Sequence, residues 1–232
     1  MNKYLKFVIS LPNIIYFNFR YLPFRQAIFL PFFISYKTKS SIKGKIIIED
    51  IQTGIFRMGF HEVPVCNYND ETFIKIDGVL RCTGRVVVGN GTKIRVCDTG
   101  ELKLGNNFHI SASSTINCYK KIEIEDDVLI GWDCLLMDSD AHPIYDVNGK
   151  ICNYDSSIRI EKHCWICSKS IILKGTVIPN DCVVGACSLV VKNTFNPFSI
   201  IAGHPAKSVK TIGGWKEVLP DFHINHNDEK VF

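Results

Sequence analysis

Residues 158–192 read IRIEKHCWICSKSIILKGTVIPNDCVVGACSLVVK. Large aliphatic residues recur at Ile160, Ile166, Ile172, Ile178, Val184 and Val190, six apart each time without a gap. Two places before them stand Ile158, Cys164, Ser170, Thr176, Cys182 and Ser188, small or modest in size. A helix repeats every 3.6 residues and fits a six-residue frame poorly. A strand alternates with period two, so positions i and i−2 share one side of a short strand. A bend must then follow before the next strand begins. Strand and bend in alternation wind a coil, and three such faces close a triangular prism whose turns pair in parallel. A sandwich has no reason to hold such a frame over six consecutive units. The expected fold is mostly β, a parallel β-helix with the aliphatics stacked in a dry interior.

Working outward, the frame continues at Ile124, Ile130 and Leu136, at Leu104, Ile110 and Ile116, and at Ile76, Cys82, Val88 and Ile94. Ile42 and Ile48 read as a worn first turn. The frame breaks twice. Two extra residues separate Ile116 from Ile124, and a long insertion separates Leu136 from Ile158. A loop that long on a rigid solenoid is usually functional or disordered.

The organisation expected is an apolar N-terminal segment over residues 1–40, helical or looped, a β-helix over 41–207 with an extruded loop at 138–157, and a capping tail over 208–232. Of the 232 residues, 46% are hydrophobic and 22% charged, as in an ordinary globular protein. The net charge is +4, and no run of Lys or Arg marks a nucleic-acid partner. Ten cysteines in a chain this size read as reduced and structural, in a cytoplasmic compartment. Cys164 and Cys167 do match C-x-x-C, but no second pair accompanies them and the repeat explains both. The N-terminal apolar runs, Phe7 to Phe19 and Gln26 to Tyr36, fall short of the ~20 residues that span a bilayer. Two readings compete there: a segment packed on the main domain, which is favoured, and one resting on the inner face of a membrane, helped by Lys3, Lys6, Arg20 and Arg25.

Three stretches carry a family resemblance: IEIEDDVLIGWDCLLMDSDAHPI at 122–144, WICSKSIILKGTVIPNDCVVGACSLVVK at 165–192, and IIAGHPAK at 200–207. Together they resemble the hexapeptide-repeat acyltransferases, in particular the sugar O-acetyltransferase branch that includes enzymes decorating surface polysaccharides. The resemblance covers roughly Ile76 to Lys207. It implies a left-handed β-helix, acetyl-CoA as acyl donor, a sugar or nucleotide-sugar acceptor, no metal and a homotrimer with each site between neighbouring prisms.

The resemblance implies that His142 is the general base. Imidazole suits the task because it titrates near neutral pH. A carboxylate should fix its tautomer. Asp140 is the leading candidate, with Asp138 and Asp155 as alternatives. The backbone N–H of Ser168 is implied as the oxyanion donor. Cys167 stands where the family often has Gly, adding bulk beside the pantetheine path. Trp165 would line the donor groove, Gly185 and Ala186 would leave room for the donor, and Lys192 and Lys207 would meet its phosphates. Lys174 is a weaker phosphate candidate. For the acceptor, Asp138, Ser113 and Asn117 are candidates. Rival readings are N-acetylation of a nucleotide-linked amino sugar, a zinc hydratase using His109, His142 and His163, and a non-catalytic scaffold.

Overall fold

In the computed structural model, residues 3–67 and 69–216 are described. Strands that are parallel save for the last form three sheets of nine, seven and six members, here faces A, B and C. The chain visits A, B and C in turn and then pairs with the strand one coil earlier. For example, Phe108–Ile110 on A, Thr115–Cys118 on B and Lys121–Ile124 on C make one level. The seven strands of face B number the levels. This is the expected left-handed parallel β-helix class.

The six-residue frame fills the interior as read. Ile160, Ile166, Ile172, Ile178, Val184 and Val190 are all fully buried, and so are Ile158, Cys164, Ser170, Thr176 and Cys182 at i−2. Each large aliphatic taken from water contributes roughly 1.5–3 kcal/mol. The buried cysteines behave as small hydrophobes. Burial pushes the Cys82 thiol up to about 12 and Cys134 to about 11, and raises Cys164 and Cys167 too, so the C-x-x-C pair lacks the lowered thiol of a redox motif.

Corners repeat as regularly as strands. At the A–B edge the third corner residue has positive φ at Ser113, Asp133, Lys169 and Cys187; at the C–A edge Asn107, Asp127, His163 and Asp181 do the same. Left-handed backbone costs a non-glycine residue energy. Here all of them but Asn107 donate the N–H to the corner one level below, as in Asp133 to Ala112 (3.1 Å) and Lys169 to Trp132 (2.9 Å).

The prism begins earlier than expected. Strand Phe32–Ile34 already belongs to the first level, so the boundary at residue 40 lies inside a coil. Helix α1 (Lys3–Tyr21) plugs the open end. Phe17 packs on Phe32 (5.0 Å between ring centres), and Phe32 on Phe56 (4.6 Å). A terminal strand exposes unpaired backbone. Asn18 substitutes for the missing neighbour, accepting from Phe32 N–H (3.0 Å) and donating to Phe32 carbonyl (2.7 Å). Asn13 donates to Ser35 carbonyl and Ser10 accepts from Tyr36 N–H. The other end turns back on itself: Ser199–Gly203 continues face A, and Ala206–Thr211 returns antiparallel to it. The tail expected over 208–232 therefore begins as strand, and from 217 onward it lies outside the described residues.

Candidate active site

The insertion leaves face B at level five, after Leu135–Met137, and rejoins face C at Ile158–Ile160. It is an ordered hairpin rather than a slack loop. Tyr145 and Ile151 pair across it, and Asp146 turns the tip by accepting from the N–H groups of Asn148 (2.8 Å) and Lys150 (2.9 Å). Asn153 ties the two limbs together. Its Nδ2 donates to the Asp140 carboxylate (2.8 Å) and to the His142 carbonyl (2.9 Å), while its Oδ1 accepts from Ile144 N–H (2.6 Å). Lys174, one level above, forms a salt bridge with Asp140 and donates to the Asn153 carbonyl (2.7 Å). Lys174 first, and then Asn153, hold the Asp140 carboxyl below the usual carboxylate range.

His142 lines a cleft of about 250 Å³ at the B–C edge, with Tyr119, Ser139, Asn153, Tyr154 and Asp155. A second concavity of about 530 Å³ shares Tyr119 and Asp155 and runs down the same edge to Arg95 and Lys43. Arg95 donates to the Tyr119 hydroxyl (2.9 Å) and lies 5.2 Å from its ring centre.

Several sequence expectations are corrected. Asp140 is spent on Lys174 and Asn153 and makes no hydrogen bond to the His142 ring among the described residues. Asp155 is the carboxylate that shares the cleft with His142. Asp138 cannot touch an acceptor. It is fully buried, and its oxygens accept from the N–H groups of Tyr119 (2.7 Å), Lys120 (2.9 Å) and Lys121 (2.7 Å). It fills the corner widened by the two extra residues after Ile116. Ser113 sits at the A–B edge and Asn117 on the outer side of face B, near the Met137 sulfur (3.8 Å); neither lines the His142 cleft. Lys174 is taken by Asp140, which removes it as a phosphate contact.

The implied donor residues divide between two edges. At the A–B edge the corners Gly131–Cys134, Cys167–Ser170 and Gly185–Ser188 stack. In each, the first N–H joins the sheet ladder, as Cys167 does to Val184 (2.9 Å), and the third joins the neighbouring corner. The second N–H, that of Ser168, has no acceptor among the described residues, which leaves it available as a donor. Gly131 permits the close stacking, since a Cβ there would lie 2.7 Å from Ser168 N. Gly185 has a packing cause of its own, because a Cβ would lie 3.0 Å from that of Ala202. Ala186 is exposed beside it, and Lys207 pairs with Ala202 at the same end. Lys192 belongs to the B–C edge, over Gly175. Trp165 is 37% exposed on face A, 5.8 Å from Trp215, which stacks on His163 (4.7 Å) and donates to its carbonyl (2.7 Å).

The histidines of a metal reading sit on separate elements: His109 on face A, His163 at the C–A edge and His142 on the hairpin. Sequence reasoning missed Asn153, Tyr119, Gly131 and Trp215. For Gly131 a signal existed, since it stands one residue past the aliphatic Ile130, where the corner begins.

No family model matches the chain. It is 35% identical over 128 residues to a probable acetyltransferase of Mycobacterium tuberculosis, Rv3034c, a match covering 54% of this chain and 42% of that protein. The similarity falls on acetyltransferases. The galactoside O-acetyltransferase of Escherichia coli is 30% identical over 133 residues, covering 56% of this chain and 61% of the enzyme. The chain thus spans about half the length of these curated relatives. Among solved structures, the polySia-specific acetyltransferase NeuO superposes with a TM-score of 0.49 at 23% identity, over 83% of this chain and 78% of that one. The resemblance read from the three motifs is borne out.

Proposed function

We propose that the chain transfers an acetyl group from acetyl-CoA to a sugar hydroxyl, as in surface polysaccharide biosynthesis, with His142 as general base. The observation that carries this is the placement of His142: an exposed residue lining a cleft, its backbone carbonyl fixed by Asn153, which Asp140 and Lys174 brace in turn. A scaffold has no use for such a clamp. Acid–base groups need it, because rate falls steeply with small misplacement.

In this reading the imidazole takes the proton of the acceptor hydroxyl as its oxygen attacks the thioester carbon. The Ser168 N–H stabilises the oxyanion. Collapse breaks the carbon–sulfur bond, and the imidazolium returns the proton to the departing thiolate. Asp155, which lines the same cleft, is the carboxylate left to orient the ring, and the concavity running down to Arg95 holds the remainder of the acceptor.

His142 and Ser168 flank opposite edges of face B, so one prism alone does not complete the site. A homotrimer does, with the His142 edge of one subunit facing the Ser168 edge of the next. The outer surfaces support this. Face C carries ion pairs such as Lys103–Glu123 and Arg159–Glu125. Faces A and B instead present Leu129, Val183 and Ile200, and Leu135, Ile171 and Leu173, all partly exposed. Unpaired apolar sheet surface of this kind marks an interface. A cytoplasmic location goes with an acetyl-CoA donor and with ten free thiols.

The test is CoA release against a panel of sugars, nucleotide sugars and amino sugars. A hydroxyl acceptor should give turnover, and His142→Ala should lower it by about 10²–10⁴-fold with an unchanged melting temperature. Full activity in a folded His142→Ala protein would remove the proposed base. Turnover confined to amino sugars would favour N-acetylation.

A further inference from the structure

Helix α1 has two unlike sides. Lys6, Ser10, Ile14, Phe17 and Asn18 are buried against the first coil. The opposite side exposes Leu5 (52%), Val8 (58%), Ile15 (50%) and Phe19 (47%), and the stripe continues through Phe24 (71%) and Phe29 (50%). That surface is continuous along a 19-residue helix and the turn after it. Soluble proteins rarely leave so much contiguous apolar surface uncovered.

Charge decides what covers it. Residues 1–48 hold eight Lys and Arg and no Asp or Glu, while the rest of the chain holds 19 basic against 23 acidic side chains. Within that segment Lys6 is buried against Glu62 and Lys39 pairs with Glu71. Arg20 and Arg25, at the end of the apolar stripe, are exposed and form no salt bridge with a described residue. A second copy docked here by two-fold symmetry would bring these arginines to a surface with no carboxylate of its own segment to meet them. An anionic lipid surface offers both hydrocarbon for the stripe and phosphates for the arginines. No described helix is long and apolar enough to cross a membrane, so α1 would lie in the interface plane.

We propose that the outer side of α1 and the following turn dock the protein on an anionic membrane surface. This goes beyond the acetyl-transfer reading and does not depend on it. The experiment is sedimentation of the full chain with vesicles of phosphatidylcholine alone and of phosphatidylcholine mixed with phosphatidylglycerol. Pelleting should occur with the mixed vesicles, weaken on the neutral ones and fall with added salt. The double variant Val8→Glu/Ile15→Glu should lower the partition coefficient at least tenfold with an unchanged melting temperature, since both side chains face solvent. Arg20→Gln/Arg25→Gln should lower it by about 25-fold, roughly fivefold per charge removed. Three results would overturn the proposal: no pelleting with anionic vesicles at low salt, binding that survives Val8→Glu/Ile15→Glu, or a lipid-free oligomer that this pair dissociates, which would assign the stripe to a second copy.

Discussion

At the scale of single residues, the site turns on where each carboxylate spends its oxygens. Asp138 and Asp140 stand two apart in the sequence, yet one braces a corner in the level beneath and the other grips Lys174 in the level above. Asp138→Ala should therefore behave as a folding mutant. It strands three backbone N–H donors that face the buried carboxylate, and hydrogen bonds to a charged group are worth about 1.5–3 kcal/mol each, so melting should fall by several degrees whatever the acceptor assayed. Asn153→Ala should do the opposite, lowering turnover about tenfold or more through loss of His142 alignment while melting barely shifts, because Asn153 lies on the exposed hairpin. The motif around His142 was legible in the sequence; the residues that hold it were not. Asn153 lies 11 residues along the chain on the returning limb of the hairpin, and Lys174 reaches the loop only because levels stack. For the same reason Asp138 looked like a site residue. A carboxylate beside a loop histidine gives no sign that a corner 17–19 residues earlier needs it.

At the scale of elements, the strand frame was legible nearly in full, because each face must bury one large aliphatic and its partner at i−2. The N-terminal segment was legible only as apolar. Its fold depends on Ser10, Asn13 and Asn18, polar residues whose partners are backbone groups of a strand that sequence alone did not place. Face A also carries a half-buried titratable group. His109 packs against His61 at 4.7 Å, and burial first, then the fields of His61 and Arg85, lower it to about 4. Its folded-state value lies below that of the unfolded chain, near 6.5. Its contribution to stability is thus present above pH 6.5 and lost as pH falls toward 4. Melting temperature should drop over that window, and the drop should flatten in His109→Leu, read by calorimetry across a pH series.

At the scale of the whole molecule, the two halves of the proposed site lie on opposite edges of one sheet, so activity and assembly should rise and fall together. Light scattering should report a trimer. Ile171→Glu/Leu173→Glu should give smaller particles with a β-rich circular dichroism spectrum but no turnover. Co-assembly offers a sharper check. His142→Ala chains lack the base, and Ala186→Trp chains have the donor edge filled. Mixed together they should regain part of the activity, because some interfaces then join an intact hairpin to an intact corner. No regain in verified mixed trimers would mean that each subunit works alone.

The two ends of the prism are finished differently, one stoppered by α1 and the other closed by the antiparallel return of Ala206–Thr211. Neither end can add another coil, so the molecule has a fixed length, and the reacting hairpin has a fixed height along it. Strands in a sheet are about 4.8 Å apart, which sets level five roughly 19 Å above level one. The solenoid is in that sense a ruler. Duplicating one level between them would raise the cleft by a single rung, about 4.8 Å, without altering any residue that lines it.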